Sequence, residues 1–240
     1  MKQYLYGKQP VIMRLQQKAA IRHLFLLEDG SNKELVGLAK ANHVPITFHS
    51  KKELDKMASG NHQGVIAEID AYKTFTLEEV LASIPKDKKG LLVMVDGVTD
   101  PHNLGAIMRT ADAVGVDGII IKKHHAVGLT PVVAKVAAGA IESVKVAIVT
   151  NLTRASEQLK KEGYWIIGTD MDNAIYYRDI DYTVPTVIVV GSEGEGISRL
   201  VKTQCDHMAS IPMIGTVSSL NVSVATAILL YEVYDQRQGK

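Results

Sequence analysis

In this 240-residue chain, three stretches gather glycine, small polar and charged residues where apolar runs end. They are DGVTDPHNLGAIMRTADAVG, VVGSEGEGIS and SIPMIGTVSSLNVSVAT. Ligands of open α/β sheets collect beyond the carboxyl ends of strands, so these stretches are where a bound molecule is expected. In the first, Pro101 and Asn103 stop a strand and start a helix. Taken alone, Asn103 reads as a helix cap. Arg109 lies about 140° around that helix from Leu104, off the stripe of Leu104, Ile107, Ala111 and Val114, and a bland arginine there would pair with Asp112 in solvent.

In the second stretch, Gly191, Gly194 and Gly196 permit close approach of the main chain to a ligand, or else make an ordinary turn. Their G-x-x-G-x-G spacing near the end of the chain is not the dinucleotide pattern, which belongs to an early strand and helix. In the third, Ser218, Ser219, Asn221 and Ser223 cluster at the start of an apolar helix, where free amides favour a polar or anionic group. A single serine there would be a plain N-cap. His124 and His125 are adjacent, so their side chains point apart, and no acidic partner lies nearby; no metal site is expected.

The elements that must position these residues fall into two groups. From Val11 to Ile69 the apolar runs HLFLL, PITF and GVIAEI alternate with helical SNKELVGLAKA and SKKELDKMA, each opened by a serine cap, giving a small α/β unit over 1–72. Residues 73–89 read as a linker holding one short helix, with Thr76 and Glu79 as its capping box. Over 90–240 the runs LLVMV, GIII, VAIV, WIIG and TVIVV alternate with helices, the form of a mostly parallel sheet covered on both faces. Thr130 caps a helix with Pro131 at its first position, and Asn151 opens another that Gly163 closes. The last helix, from about Asn221 to Asp235, is apolar almost all round, so it is buried either by the core alone or also by a second subunit.

Composition limits the class. No apolar run approaches the roughly 20 residues of a membrane span, and the start MKQYLYGKQP lacks an apolar core and a cleavage site, so a cytoplasmic protein is expected. Cys205 is the only cysteine, which leaves no disulfide and no thiolate zinc site. The net charge of +1 conceals an asymmetry: residues 1–75 carry 11 Lys/Arg against 7 Asp/Glu, the remainder 16 against 19. That mild basic bias marks either a polyanion-binding face or a solvated surface.

In this order, N-x5-R, then GSEGEG, then SIPM-x-G-x-VSSLNVS resemble the three signature motifs of the SpoU class of RNA ribose 2'-O-methyltransferases, in the TrmH family of the SPOUT superfamily. The resemblance spans about Leu91 to Glu232. TDPHNLGAIMRTADAVGVDGIII is especially similar to bacterial enzymes that methylate a guanosine of 23S ribosomal RNA, and YGKQPVIMRL and NHQGVIAEI resemble the ends of their ribosomal-protein-like substrate domain. The resemblance implies a C-terminal α/β domain with a deep trefoil knot, an exception to the rule against threaded chains. It implies S-adenosylmethionine as cofactor, held around Thr169, Gly191, Glu193, Gly196, Ile211, Met213, Ser218 and Leu220. It also implies a catalytic set of Asn103, Arg109, Glu193, Ser219 and Asn221, and a homodimer through the last helix.

The expected substrate is a guanosine of 23S ribosomal RNA, free or in an assembling large subunit, with Lys8, Arg14 and Arg22 contacting its phosphates. Transfer RNA is the alternative substrate, and a noncatalytic RNA-binding protein the alternative activity. Intact motif residues argue against loss of turnover. A Rossmann-type enzyme is disfavoured because no phosphate loop follows the first strand.

Overall fold

The computed structural model describes residues 2–58, 61–170, 174–217 and 219–239. Its contacts form two compact units, Met1–Lys73 with Leu129–Ser143, and Thr74–Gly128 with Val144–Lys240. The first elements in chain order are β1 (Lys2–Tyr6), α1 (Lys8–Gln16), β2 (Ile21–Leu27), α2 (Lys33–Ala41), β3 (Ile46–His49), α3 (Lys51–Met57) and β4 (Val65–Asp70). Next come α4 (Leu77–Ala82), β5 (Leu91–Val95), α5 (Pro101–Ala113), β6 (Gly118–Lys122), α6 (Pro131–Ala137), α7 (Ala140–Ser143) and β7 (Val146–Val149). The last are α8 (Leu152–Lys161), β8 (Trp165–Thr169), β9 (Ile175–Tyr176), β10 (Thr186–Val190), α9 (Arg199–Lys202), β11 (His207–Ser210) and α10 (Val222–Arg237).

The first unit is a four-stranded sheet in the order β1-β4-β2-β3, with β2 and β3 parallel and β4 antiparallel to its neighbours. Ser50 opens α3 with a full capping box to Glu53. Ser31 does not cap α2: the N-cap is Asn32, and Ser31 instead donates its backbone N–H to Asp29 Oδ1 at 2.9 Å. Although α6 and α7 come far later in sequence than position 72, they belong to this unit. Arg14 on α1 is buried, ion-paired with Glu142 on α7, bonded to the Ala20 carbonyl at 3.1 Å and set 5.3 Å from the Tyr72 ring centre. Burial pushes the Glu142 carboxyl up, and the arginine opposes that shift.

The second unit is a seven-stranded sheet in the order β7-β6-β5-β10-β8-β11-β9, with every registered pair parallel. Every residue of the central strands β5 and β10 is buried, as expected of a parallel sheet covered on both faces. Each of their larger aliphatic side chains contributes about 1.5–3 kcal/mol by leaving water. The segment read as a linker is part of this core. Thr76 caps α4 as expected, with Glu79 N at 3.2 Å and Glu79 Oε2 2.7 Å from the Thr76 N–H, but Leu77 and Val80 are buried among Leu92, Ile120 and Ala147.

α10 closes the unit. Its C-terminal Arg237 donates to the carbonyls of Lys89 (2.6 Å), Gly90 (3.2 Å), Tyr182 (3.0 Å) and Val184 (2.8 Å), tying together the segments that lead into β5 and β10. Val222, Thr226, Leu229, Leu230 and Val233 form its buried face. Val224, Tyr231 and Tyr234 stand out on the other side, 47%, 50% and 40% exposed.

Candidate active site

Two adjoining cavities open beyond the carboxyl ends of the central strands. The larger, of 360 Å³, is lined by Thr169 and Asp170 after β8, by Val190 to Gly196 after β10, by Ala209 and Ile211 at β11, and by Met213, Ser219, Leu220, Val222 and Ala225. The smaller, of 210 Å³, is lined by Gly97 to Asp100, Asn103, Ser192 to Gly194 and Val222. Ser192, Glu193, Gly194 and Val222 border both.

The loop after β10 is a tight closed turn, with Ser192 and Gly196 exchanging backbone hydrogen bonds of 3.1 and 3.0 Å. A Cβ on Gly191 would sit 2.0 Å from the Gly196 carbonyl carbon, so only glycine lets these strands of backbone meet. At Gly194 a Cβ would meet nothing within 4 Å, because that position faces open space. The far end of the loop is pinned by buried Asp96, whose Oδ2 accepts the Ser198 N–H at 2.8 Å.

Asn103 is no cap. Asp100 caps α5, accepting the His102 N–H at 2.9 Å with Pro101 at the first position, and this places Asn103 inside the helix and buried. Asn221 is the N-cap of α10: its Oδ1 accepts from the backbone N–H of Ser223 (3.0 Å) and Val224 (3.4 Å) and from Ser223 Oγ (2.6 Å). Its amide nitrogen therefore points away from the helix. There it donates to Asn103 Oδ1 at 2.9 Å and Glu193 Oε1 at 2.6 Å, and Asn103 Nδ2 donates to the same Glu193 oxygen at 3.1 Å. Because the oxygen of Asn221 must face the helix, both asparagine amides are oriented without ambiguity.

Of the eight residues expected around the cofactor, Thr169, Gly191, Glu193, Gly196, Ile211, Met213 and Leu220 all line the larger cavity; Ser218 lies outside the described residues. Of the expected catalytic set, the structure brings together Asn103, Glu193, Ser219 and Asn221 but not Arg109. Arg109 is exposed on α5, lines neither cavity, and has no bonded partner among the described residues. Six positions after Asn103, it sits about 9 Å further along the helix and about 120° around it. Asp170, Ser192 and Glu195 were not singled out in the sequence, yet they line the larger cavity; Asp170 is paired with Lys202. The GSEGEG motif was the available signal for Ser192 and Glu195, while Asp170 sits at the end of a strand with no motif around it.

The expected phosphate contacts divide. Arg14 is a correction: buried and ion-paired, it cannot reach a phosphate without breaking the first unit. Lys8 is half-buried, and Arg22 is exposed with Nε 3.0 Å and Nη2 2.6 Å from Asp70 Oδ1. Among the described residues no group of histidine, cysteine or acidic side chains is placed to hold a metal, and no helix is long and apolar enough to cross a membrane.

Residues 90–231 match the model of the SpoU rRNA methylase family, and residues 4–75 match that of the RNA 2'-O ribose methyltransferase substrate-binding domain. YacO of Bacillus subtilis, named as a TrmH family tRNA/rRNA methyltransferase, is 44% identical over 98% of this chain and 96% of its own length. The SpoU methyltransferase AviRb from Streptomyces viridochromogenes, solved with AdoMet, superposes with a TM-score of 0.83 at 27% identity, covering 99% of this chain and 91% of that one. The TrmH/SpoU tRNA modifying enzyme of A. aeolicus is 34% identical, with a TM-score of 0.58 over 68% of this chain and 83% of its own. A parallel sheet with a polar, glycine-lined site at its carboxyl edge is thus the sheet of an RNA methyltransferase. The chain belongs to the SpoU rRNA methylase family.

Proposed function

We propose that this protein transfers the methyl group of S-adenosylmethionine to the ribose 2'-oxygen of a guanosine in 23S ribosomal RNA, within the cytoplasm. The observation that carries the reading is the Asn103–Glu193–Asn221 cluster at the border of the two cavities. The larger cavity suits the cofactor: a backbone cradle after β10, apolar walls from Val190, Ile211, Met213 and Leu220 for a purine, and carboxylates at Glu193 and Glu195 for cationic groups. When bound, S-adenosylmethionine supplies a methyl group on a sulfonium. The smaller cavity is then the seat of the target ribose, next to Asn103 and Glu193.

In this reading the protein acts chiefly by alignment, which supplies most of the rate in such displacements. Asn103 and Asn221 hold Glu193 in place, Ser219 completes the wall, and Arg109 grips the phosphate beside the ribose. A guanidinium is always protonated near neutrality, which favours that role over one as base. Arg109 lies off both cavities, so it serves best in a homodimer packed through the exposed face of α10, with Val224, Tyr231 and Tyr234 covered by a second copy. The segments around 191–198 and 211–221 belong in this reading to a deep trefoil knot, and the first unit, with its ribosomal-protein-like fold, selects the RNA. The assay gives the protein labelled donor with 23S ribosomal RNA fragments or transfer RNA and maps the methylated position. A transfer RNA product, or no product, overturns the assignment.

A further inference from the structure

Alternation divides the first unit's sheet into two faces. Leu5, Leu24, Leu26, Ala67 and Ile69 share a buried face. α1 and α2 pack on each other and α1 packs on β1 and β4; the right-handed rule for crossovers between the parallel strands β1, β2 and β3 puts both helices on one side, which the buried residues identify as this face. The strand register puts Tyr4, Glu68 and His23 in one row across the opposite face, Tyr6, Ile66, Phe25 and Thr47 in the next, and His49 beyond; in that second row Ile66 is fully buried and Tyr6 has Lys135 of α6 5.9 Å from its ring centre. Tyr4, His23, Phe25 and His49 are only half-buried and Thr47 is exposed.

Phe25 is the centre of this face. Its ring centre lies 4.6 Å from His23, 5.6 Å from His49 and 6.2 Å from Tyr4. Thr47 Oγ1 is 3.0 Å from His23 Nε2 and 2.9 Å from His49 Nε2, so one hydroxyl holds both imidazoles in place. Rings fixed in this way lose little freedom when a ligand stacks on them. Cross-strand packing alone would stabilise the sheet, but it would not require a row of polar-edged rings left open to water.

Charge and the open rings together select the ligand. The basic surplus of residues 1–75 favours a polyanion. We infer that this face is a stacking platform for unpaired RNA bases, with Phe25 as its central ring. The inference rests on the reading of the chain as an enzyme acting on RNA, and places base contact on Tyr4, His23, Phe25 and His49 rather than on the cations alone.

The test measures binding of the full-length protein to a labelled, unstructured oligouridine and to inorganic polyphosphate. Phe25→Leu should raise the Kd for oligouridine by about five- to a hundredfold, the loss of one base–aromatic stack, while Phe25→Tyr stays within about twofold of wild type. Polyphosphate affinity and cofactor affinity should not move. A photoreactive 5-iodouridine oligonucleotide on the wild type should attach to peptides carrying Tyr4, His23, Phe25 or His49, which tests the face even if Phe25→Leu folds poorly. Crosslinks confined to other peptides, or equal Kd values for a folded Phe25→Leu, would overturn the platform; a protein-docking face would give the latter result. If wild type methylates RNA and Phe25→Leu binds it equally well, only the platform falls. If wild type neither binds nor methylates RNA, the functional reading falls with it.

Discussion

Asn221 donates its side-chain amide to Glu193 Oε1 at 2.6 Å while its side-chain oxygen caps α10. One residue therefore fixes both the start of the last helix and the carboxylate between the two cavities. The relationship depends on an amide: a donor on one side and an acceptor on the other.

Replacing that amide by a carboxylate separates the two duties. Asn221→Asp keeps an acceptor for the helix N–H groups, since aspartate caps as well as asparagine, but sets one carboxylate against another. The variant should fold and lose turnover by about 100-fold at neutral pH, the scale expected for misplacement of a catalytic group. Like charges raise the apparent proton affinity of the pair. Activity should therefore recover partly as the pH is lowered, when one proton again bridges positions 221 and 193. A pH–rate profile parallel to that of wild type would detach the cluster from the reaction.

Gly191→Ala probes the cradle. The added methyl meets the Gly196 carbonyl carbon at 2.0 Å, so the loop must shift. An overpacking cost of roughly 1–3 kcal/mol, felt at the loop, would weaken cofactor binding by about five- to 150-fold. Calorimetry with S-adenosylmethionine reads the loss directly, and circular dichroism should report an unchanged fold. Wild-type affinity in this variant would remove the loop from the cofactor site.

Sequence pattern reached the second unit further than the first. The five apolar runs LLVMV, GIII, VAIV, WIIG and TVIVV are strands because each is a short β-rich stretch; β5 and β10 are buried throughout, while Ile148 of VAIV and Trp165 of WIIG are exposed. β9 and β11 escaped, since Ile175–Tyr176 is two residues long and HMAS has neither alternation nor an apolar run. β1 escaped because KQYLY offers only one buried leucine. Periodicity along the chain also cannot show that Arg14 and Glu142, 128 positions apart, form one buried pair. A truncation of residues 1–72 leaves α6 and α7 without their packing partners, so a test of the second unit alone must also replace 129–143 with a short polar loop. The site residues were legible as motifs, but the orientation of the two asparagine amides emerges only when α5, α10 and the loop after β10 meet.

Arg237 gives a stability prediction independent of catalysis. Its guanidinium serves four carbonyls at the entry to β5 and β10, and its partial burial lowers its proton affinity without displacing those bonds. Arg237→Ala leaves the buried Tyr182 carbonyl without its donor, while Gly90 and Val184 keep bonds from Thr186 N–H and Oγ1 and Lys89 is open to water, so the change should cost about 2 kcal/mol. For a domain of this size that corresponds to a fall in Tm of roughly 4–8 °C. Arg237→Lys should recover little, because a point charge cannot span four acceptors. A Tm within about 2 °C of wild type for the alanine variant would show that solvent already satisfies those carbonyls.

Arg109 allows the proposed dimer to be tested through activity. The residue projects from a flank of α5 away from Asn103 and touches neither cavity, so within its own protomer it has no route to the cluster. Arg109→Ala should keep wild-type cofactor affinity and lose at least about 100-fold in turnover, and lysine should not rescue it. Asn103→Ala should be similarly impaired. If Arg109 serves the partner's ribose site, then a twofold-symmetric heterodimer of the two variants contains one site with both defects and one with neither. Random exchange makes half the dimers mixed, so the pooled proteins should regain about a quarter of wild-type turnover. Adding Tyr231→Glu to both variants places a charge on the exposed stripe of α10 and should abolish that recovery by separating the subunits. No recovery from a mixture shown by mass spectrometry to have exchanged subunits would mean that Arg109 acts within its own chain, and the shared site would have to be given up.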